Sequence, residues 1–148
     1  MTYEQIIEVT WGECDLAGLV YFPRMLEYCH RALEGLFAGL EGGYATLTGE
    51  RKIGIPTVHL TGDFVRPIRY GQRCVVCVTV QKIGRSSVTF THVIVDQTSR
   101  EVCARFTHIV ATCALRPEGV SAVPVPDDMR ALLERHGSNE ANEANEAS

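Results

Sequence analysis

The chain has 148 residues, 45% of them apolar, which is enough for one domain with a substantial core. Its formal charge of −4 and pI near 5.7 exclude a general nucleic-acid binder with a basic surface. No apolar run approaches the roughly 18 residues a spanning helix needs, and "MTYEQIIEVT" lacks the basic flank and apolar core of an export signal, so a cytoplasmic protein is expected.

The segment 4–10, "EQIIEVT", mixes apolar and polar residues at strand length. Pro23, at a favoured first helical position, opens a helix of about five turns. Met25, Cys29, Ala32, Leu33, Leu36, Phe37 and Leu40 recur at intervals of three and four and form a broad apolar face, with Arg24, Glu27, Arg31 and Glu34 opposite. Gly42 and Gly43 end it. So wide an apolar face has to be wrapped by other elements.

Beyond a loop to about residue 54 the period changes. "TVHLTGDFV" (57–65) alternates, with Val58, Leu60 and Phe64 on one side and His59, Thr61 and Asp63 on the other. "RPIRYGQR" is a break. Strands are then predicted over 74–83, 87–96 and 102–115, joined by "GRS" and "QTSRE" at hairpin lengths. Consecutive strands without intervening helices imply an antiparallel sheet, so the fold class is α+β, five strands around one long helix. "PDDMRALLERHG" (126–137) suits a short capped helix. The expected domain is 1–137, followed by a low-complexity tail, "SNEANEANEAS" (138–148), that has no large apolar residue with which to join a core.

Six cysteines raise the question of a metal. Cys74 and Cys77 form C-x2-C, but residues an odd number apart on a strand point to opposite faces, and no second close pair completes a site. No metal is expected, and the thiols read as reduced and structural.

The stretch "GECDLAGLVYFP" sets two acids and a glycine just ahead of the helix. A helix N-terminus offers free N–H groups and positive partial charge, and Gly18 allows backbone angles closed to other residues. "ECDLAGLVYFP" before a helix, then "DFVRPIRYG" and strands broken by "KIGRSS", resembles the hotdog-fold thioesterases of the 4-hydroxybenzoyl-CoA thioesterase family. Asp15, Ala17, Gly18, Val20 and Tyr21 match that family's D-x-A-G-x-V-Y/W loop, and Phe64, Pro67 and Gly71 match a later, mainly structural pattern. The likeness covers roughly residues 3–115.

The resemblance implies an acyl-CoA thioesterase with no cofactor, a homodimer or homotetramer whose paired subunits complete the sites, and no nucleic-acid or membrane partner. Asp15 is then nucleophile or general base, and the backbone N–H of Phe22 holds the oxyanion beside Gly18, since Pro23 has no N–H to offer. Ordering the loop or capping the helix is the alternative for Asp15. Glu13 is expected to be an exposed acid or turn residue. Tyr21, His30, Thr57 and His59 are the pocket candidates. Where the family's name-giving enzyme has an acidic helix residue that meets a phenolic hydroxyl, Cys29 and His30 stand here, so an aromatic acyl group (benzoyl or hydroxybenzoyl) is expected without a fixed 4-hydroxy substituent. His92 and His108 read as satisfied sheet positions. Coenzyme A's phosphates call for basic and hydroxyl donors, and Lys82, Arg85, Ser86 and Ser87, with Arg66 added from the break, are the candidates. Short-chain aliphatic thioesterase and non-catalytic acyl-CoA sensor are the alternatives. A hotdog dehydratase would need a His paired with an acid at the helix, and nothing at Asp15 matches.

Overall fold

The computed structural model describes residues 1–138, so the repeat from 139 onward lies outside the described residues. In chain order the elements are β1 (Tyr3–Glu8), α1 (Phe22–Phe37), a single turn α2 (Gly43–Ala45), β2 (Ile53–Gly54), β3 (Thr57–Phe64), β4 (Arg73–Ile83), β5 (Ser87–Asp96), β6 (Val102–Ala111), β7 (Cys113–Arg116), β8 (Gly119–Ala122) and α3 (Asp127–Arg135). Five strands form an antiparallel sheet in the order β1-β4-β5-β6-β3.

Helix α1 lies against this sheet for the reason its sequence gives. Met25, Cys29, Ala32, Leu33, Leu36 and Phe37 are all buried, in one cluster with Val76, Val78, Phe90, Ile94 and Ala104 from the strands. Each large side chain so buried contributes roughly 1.5–3 kcal/mol of apolar transfer. Tyr28, fully buried, lies outside the predicted stripe. The helix stops at Phe37, earlier than its apolar spacing suggests, and Leu40 reaches the core from the following turn. Gly42 and Gly43 have φ of +73° and +65°, which lets the chain reverse there. Six thiols are free among the described residues. Ser138, expected in the tail, still donates its amide to the Val80 carbonyl.

Two departures from the sequence reading matter. The strand expected over 102–115 is broken at Thr112, whose fully buried hydroxyl donates to the Val123 carbonyl (2.6 Å) while its amide donates to Ser86. The chain resumes as β7 in a second sheet, β2-β7-β8, which the even alternation of apolar residues hides.

The second departure is a bulge in β3. Thr57 pairs with Val110, but His59 pairs with Ile109 and Leu60 with His108, so Val58 is the extra residue. Thr57 therefore shares a face with Leu60, toward α1, contrary to plain alternation, while His59 keeps the opposite, outer face that alternation gives it. Strand β3 is exposed along its whole length and pairs on one side only.

Candidate active site

Residues 14–20 form a miniature hairpin at the foot of α1. Cys14 bridges Val20, the Asp15 amide donates to the Leu19 carbonyl (2.8 Å), and the Gly18 amide donates to the Asp15 carbonyl (3.0 Å). Gly18 closes the turn at φ +75°, where a side chain would be strained. The exposed Asp15 carboxylate accepts from the Ala17 and Leu19 amides (2.8 and 3.3 Å), both through Oδ1. Among the described residues its Oδ2 accepts nothing. One oxygen thus orders the loop while the other stays open.

The hairpin runs directly into the helix. Val20 and Tyr70 amides bond the segments 18–20 and 68–70 to each other, and the Tyr21 amide donates to the Glu13 carbonyl (2.9 Å). Tyr21 is the residue preceding α1, with its ring half exposed against Phe22. The amide of Phe22, first in the helix, makes no hydrogen bond among the described residues, while that of Arg24 donates to the Tyr21 carbonyl. An open N–H at a helix start is suited to a developing oxyanion.

Glu13 corrects the sequence reading. It is buried, not exposed: Oε1 accepts from the Thr10 amide (2.8 Å) and the Tyr28 hydroxyl (3.0 Å), and Oε2 from the Arg31 guanidinium (3.1 Å). Burial pushes its carboxyl upward, but these donors together outweigh that and hold it below the ordinary value of 4.5. The acid clamps the loop onto the middle of α1. No periodicity marks it, because its partners lie 15 and 18 residues away.

A cavity of about 220 Å³ lies between α1 and the sheet, lined by Leu26, Cys29, His30 and Leu33 on one side and Thr57, Leu60, His92, Phe106 and His108 on the other. Rings lead toward it from the helix start: Phe22 meets Phe64 at 6.1 Å, and Phe64 meets Phe106 at 5.6 Å. His30 sits at the mouth, exposed, with Nε2 2.9 Å from Glu34. Thr57 and His30 line the cavity; His59 and Tyr21 do not. Burial pushes the Cys29 thiol up to about 12, so it stays a neutral wall. The histidines His92 and His108, read from sequence as sheet residues, line this cavity and bond to each other.

The basic turn is fixed by its backbone: Thr112 and Val125 amides donate to the Ser86 and Arg85 carbonyls, the Gly84 amide to Ser87, and Arg130 to the Gly84 carbonyl. Lys82 and Arg85 side chains are exposed there. Arg66 does not join them. Strand register sets residues 64–66 beside Cys103 and Ala104, at the opposite end of the sheet from the 84–87 turn, and Arg66 pairs with Glu101 (3.5 Å). Among the described residues no group of three or more His, Cys, Asp or Glu is arranged to hold a metal ion, and no helix is long and apolar enough to cross a membrane.

A model of the thioesterase-like superfamily matches residues 9–133. This chain belongs to the thioesterase-like superfamily. Its five strands around one helix are the hotdog fold. The thioesterase is 30% identical over 133 residues to a 1,4-dihydroxy-2-naphthoyl-CoA hydrolase of Synechocystis, covering 89% of this chain and 93% of that one. Against the hydrolase of the same name from Picosynechococcus the identity is 36% over 73 residues, about half of each chain (49% and 50%). The 4-hydroxybenzoyl-CoA thioesterase of Pseudomonas sp. strain CBS-3 superposes with a TM-score of 0.80 at 23% identity over 88% of this chain and 98% of that one, a likeness of fold.

Proposed function

We propose that this thioesterase hydrolyses an aromatic acyl-CoA to the free acid and coenzyme A, with Asp15 and the Phe22 amide acting at the thioester carbonyl. One observation carries the reading. The open Oδ2 of Asp15 and the open N–H of Phe22 belong to a single hydrogen-bonded unit that Glu13 clamps to α1. Negative charge gathers on the carbonyl oxygen in the transition state, and a preorganised amide at a positive helix end stabilises it there.

Two routes use the carboxylate. In direct attack, Asp15 Oδ2 bonds to the carbonyl carbon, the C–S bond breaks, CoA leaves as thiolate, and water splits the resulting anhydride. In the other, Asp15 takes a proton from water, which attacks. Single turnover in oxygen-18 water separates them: label in Asp15 supports direct attack, and label in the product acid alone supports activated water. Neither route calls on a cofactor.

The aromatic preference is supported by the named hydrolases of naphthoyl thioesters among its relatives and by the ring-lined path to the cavity. A homodimer is supported by β3, a free edge eight residues long that exposes Val58, Leu60 and Phe64. In such a dimer the turn with Lys82, Arg85, Ser86 and Ser87 meets the nucleotide of a substrate whose carbonyl lies at the partner's Asp15.

A thiol-trapping dye with benzoyl-, hydroxybenzoyl-, 1,4-dihydroxy-2-naphthoyl- and butyryl-CoA tests the reading. Release of CoA from aromatic esters at least about tenfold faster in kcat/KM than from butyryl-CoA is expected. Turnover of butyryl-CoA alone would make it an aliphatic thioesterase, and tight binding without release would make it a sensor.

A further inference from the structure

The polar groups of the cavity form a chain with a direction. Thr57 Oγ1 lies 2.7 Å from His108 Nε2, and His108 Nδ1 lies 3.1 Å from His92 Nε2. His92 is 1% exposed, and its Nδ1 is buried without a partner among the described residues. A neutral imidazole carries one N–H and one lone pair. Leaving a buried N–H unpaired is the costlier arrangement, so the orphaned Nδ1 is the lone pair and the proton sits on Nε2. His92 then donates to His108 Nδ1, and His108 must carry its own proton on Nε2 and donate to Thr57. That fixes Thr57 Oγ1 as an acceptor toward the protein and leaves its hydrogen for the cavity.

Burial lowers both histidines below the ordinary 6.5, His92 to about 3, which agrees with two neutral rings in single file. Phe90 lies beside both rings, stacked with His92 at 6.1 Å and tilted to His108 at 6.2 Å. At 1.5 Å per residue, Leu26 lies about 6 Å and Cys29 and His30 about 10–12 Å from Phe22 along α1. An acyl ring whose carbonyl is held at Phe22 therefore brings its far edge, not its carbonyl, to this donor.

We infer that Thr57 determines specificity by donating its hydroxyl hydrogen to an oxygen substituent on the acyl group, with His92 and His108 as positioning residues that fix the direction of that donor. This deepens the function proposed above and rests on it. A site that donates a hydrogen bond to such an oxygen also disfavours the unsubstituted ring, which covers the Thr57 hydroxyl without giving its hydrogen an acceptor.

The test compares kcat/KM for benzoyl- and 2-naphthoyl-CoA with 3- and 4-hydroxybenzoyl- and 1,4-dihydroxy-2-naphthoyl-CoA in wild type, Thr57→Val and His92→Phe. At least one oxygenated ester should exceed its parent by about tenfold, mainly through KM. Thr57→Val should shrink that ratio to within about twofold. In wild type, imidazole nitrogen-15 shifts should show both histidines protonated on Nε2 alone. A ratio near one in wild type, a ratio that survives Thr57→Val, or a His108 proton on Nδ1 would overturn the inference. If no ester is cleaved, the proposed function fails by itself, and the chain is judged by titrating the nitrogen-15-labelled protein with 6-hydroxy-2-naphthoate and 2-naphthoate, which differ only at the edge far from the carboxyl. A His108 Nε2 shift with the hydroxylated acid alone supports it; equal shifts, or none, overturn it.

Discussion

Replacing Glu13 with alanine should cost about 3 kcal/mol of stability, although no step of the proposed chemistry uses this carboxylate. The loss has three parts. Tyr28 is fully buried, and removing its acceptor strands a hydroxyl, at about 1–3 kcal/mol. The Thr10 amide loses its acceptor in a half-buried setting, at about 1 kcal/mol. Arg31 keeps access to water, with its side chain 50% exposed, and its share is below about 1 kcal/mol. For a domain of this size, 3 kcal/mol lowers Tm by about 10 °C. Urea denaturation at fixed protein concentration measures it, with Tyr28→Phe and the double variant closing a cycle whose coupling should be about 1 kcal/mol. Turnover should fall as well, since the clamp holds the Asp15 hairpin against α1. A loss under about 0.5 kcal/mol with no coupling would refute the reasoning.

Acid stability gives a second prediction. His92 is held neutral when folded, so its contribution is full above the unfolded value of 6.5 and is lost as pH falls toward about 3, at about 1.4 kcal/mol per pH unit. The slope between pH 6.5 and 5, above the range where Glu13 adds its own loss, should flatten in His92→Phe; an unchanged slope would contradict the burial argument. Arg85→Ala should raise KM for an acyl-CoA more than it lowers kcat, and an unchanged KM would move the nucleotide elsewhere. Gly62→Ala should destabilise the fold by about 1–3 kcal/mol, because a Cβ there runs into the Phe106 ring and the Arg105 carbonyl; a neutral change would mean the ring yields freely.

What the sequence discloses follows from period and contact range. The helix stripe from Met25 to Phe37 and the paired strands are local patterns, and each was legible because burial imprints a spacing on neighbouring residues. The Asp15 loop was legible as a motif. Hidden features all depend on distant partners or on a slip in register. The bulge at Val58 puts Thr57 and His59 on opposite faces, and alternation alone carries no trace of it. The break at Thr112 depends on Val123, and Glu13 on Tyr28 and Arg31. His92 and His108 occupy strand positions where a core residue would look the same; only cross-strand register shows that they meet over a cavity. A polar residue at an inward strand position is the one signal that could have pointed to them, and the sequence reading takes it for a satisfied sheet position.

The most direct measurement is CoA release by Asp15→Asn. Asparagine keeps the side-chain oxygen that accepts from Ala17 and Leu19, so the loop and the melting temperature should be preserved. Its amide can neither attack a thioester nor take a proton from water, and turnover of the best aromatic acyl-CoA should fall at least about a hundredfold. A folded Asp15→Asn protein that turns over within about threefold of wild type would contradict a catalytic role for this carboxylate.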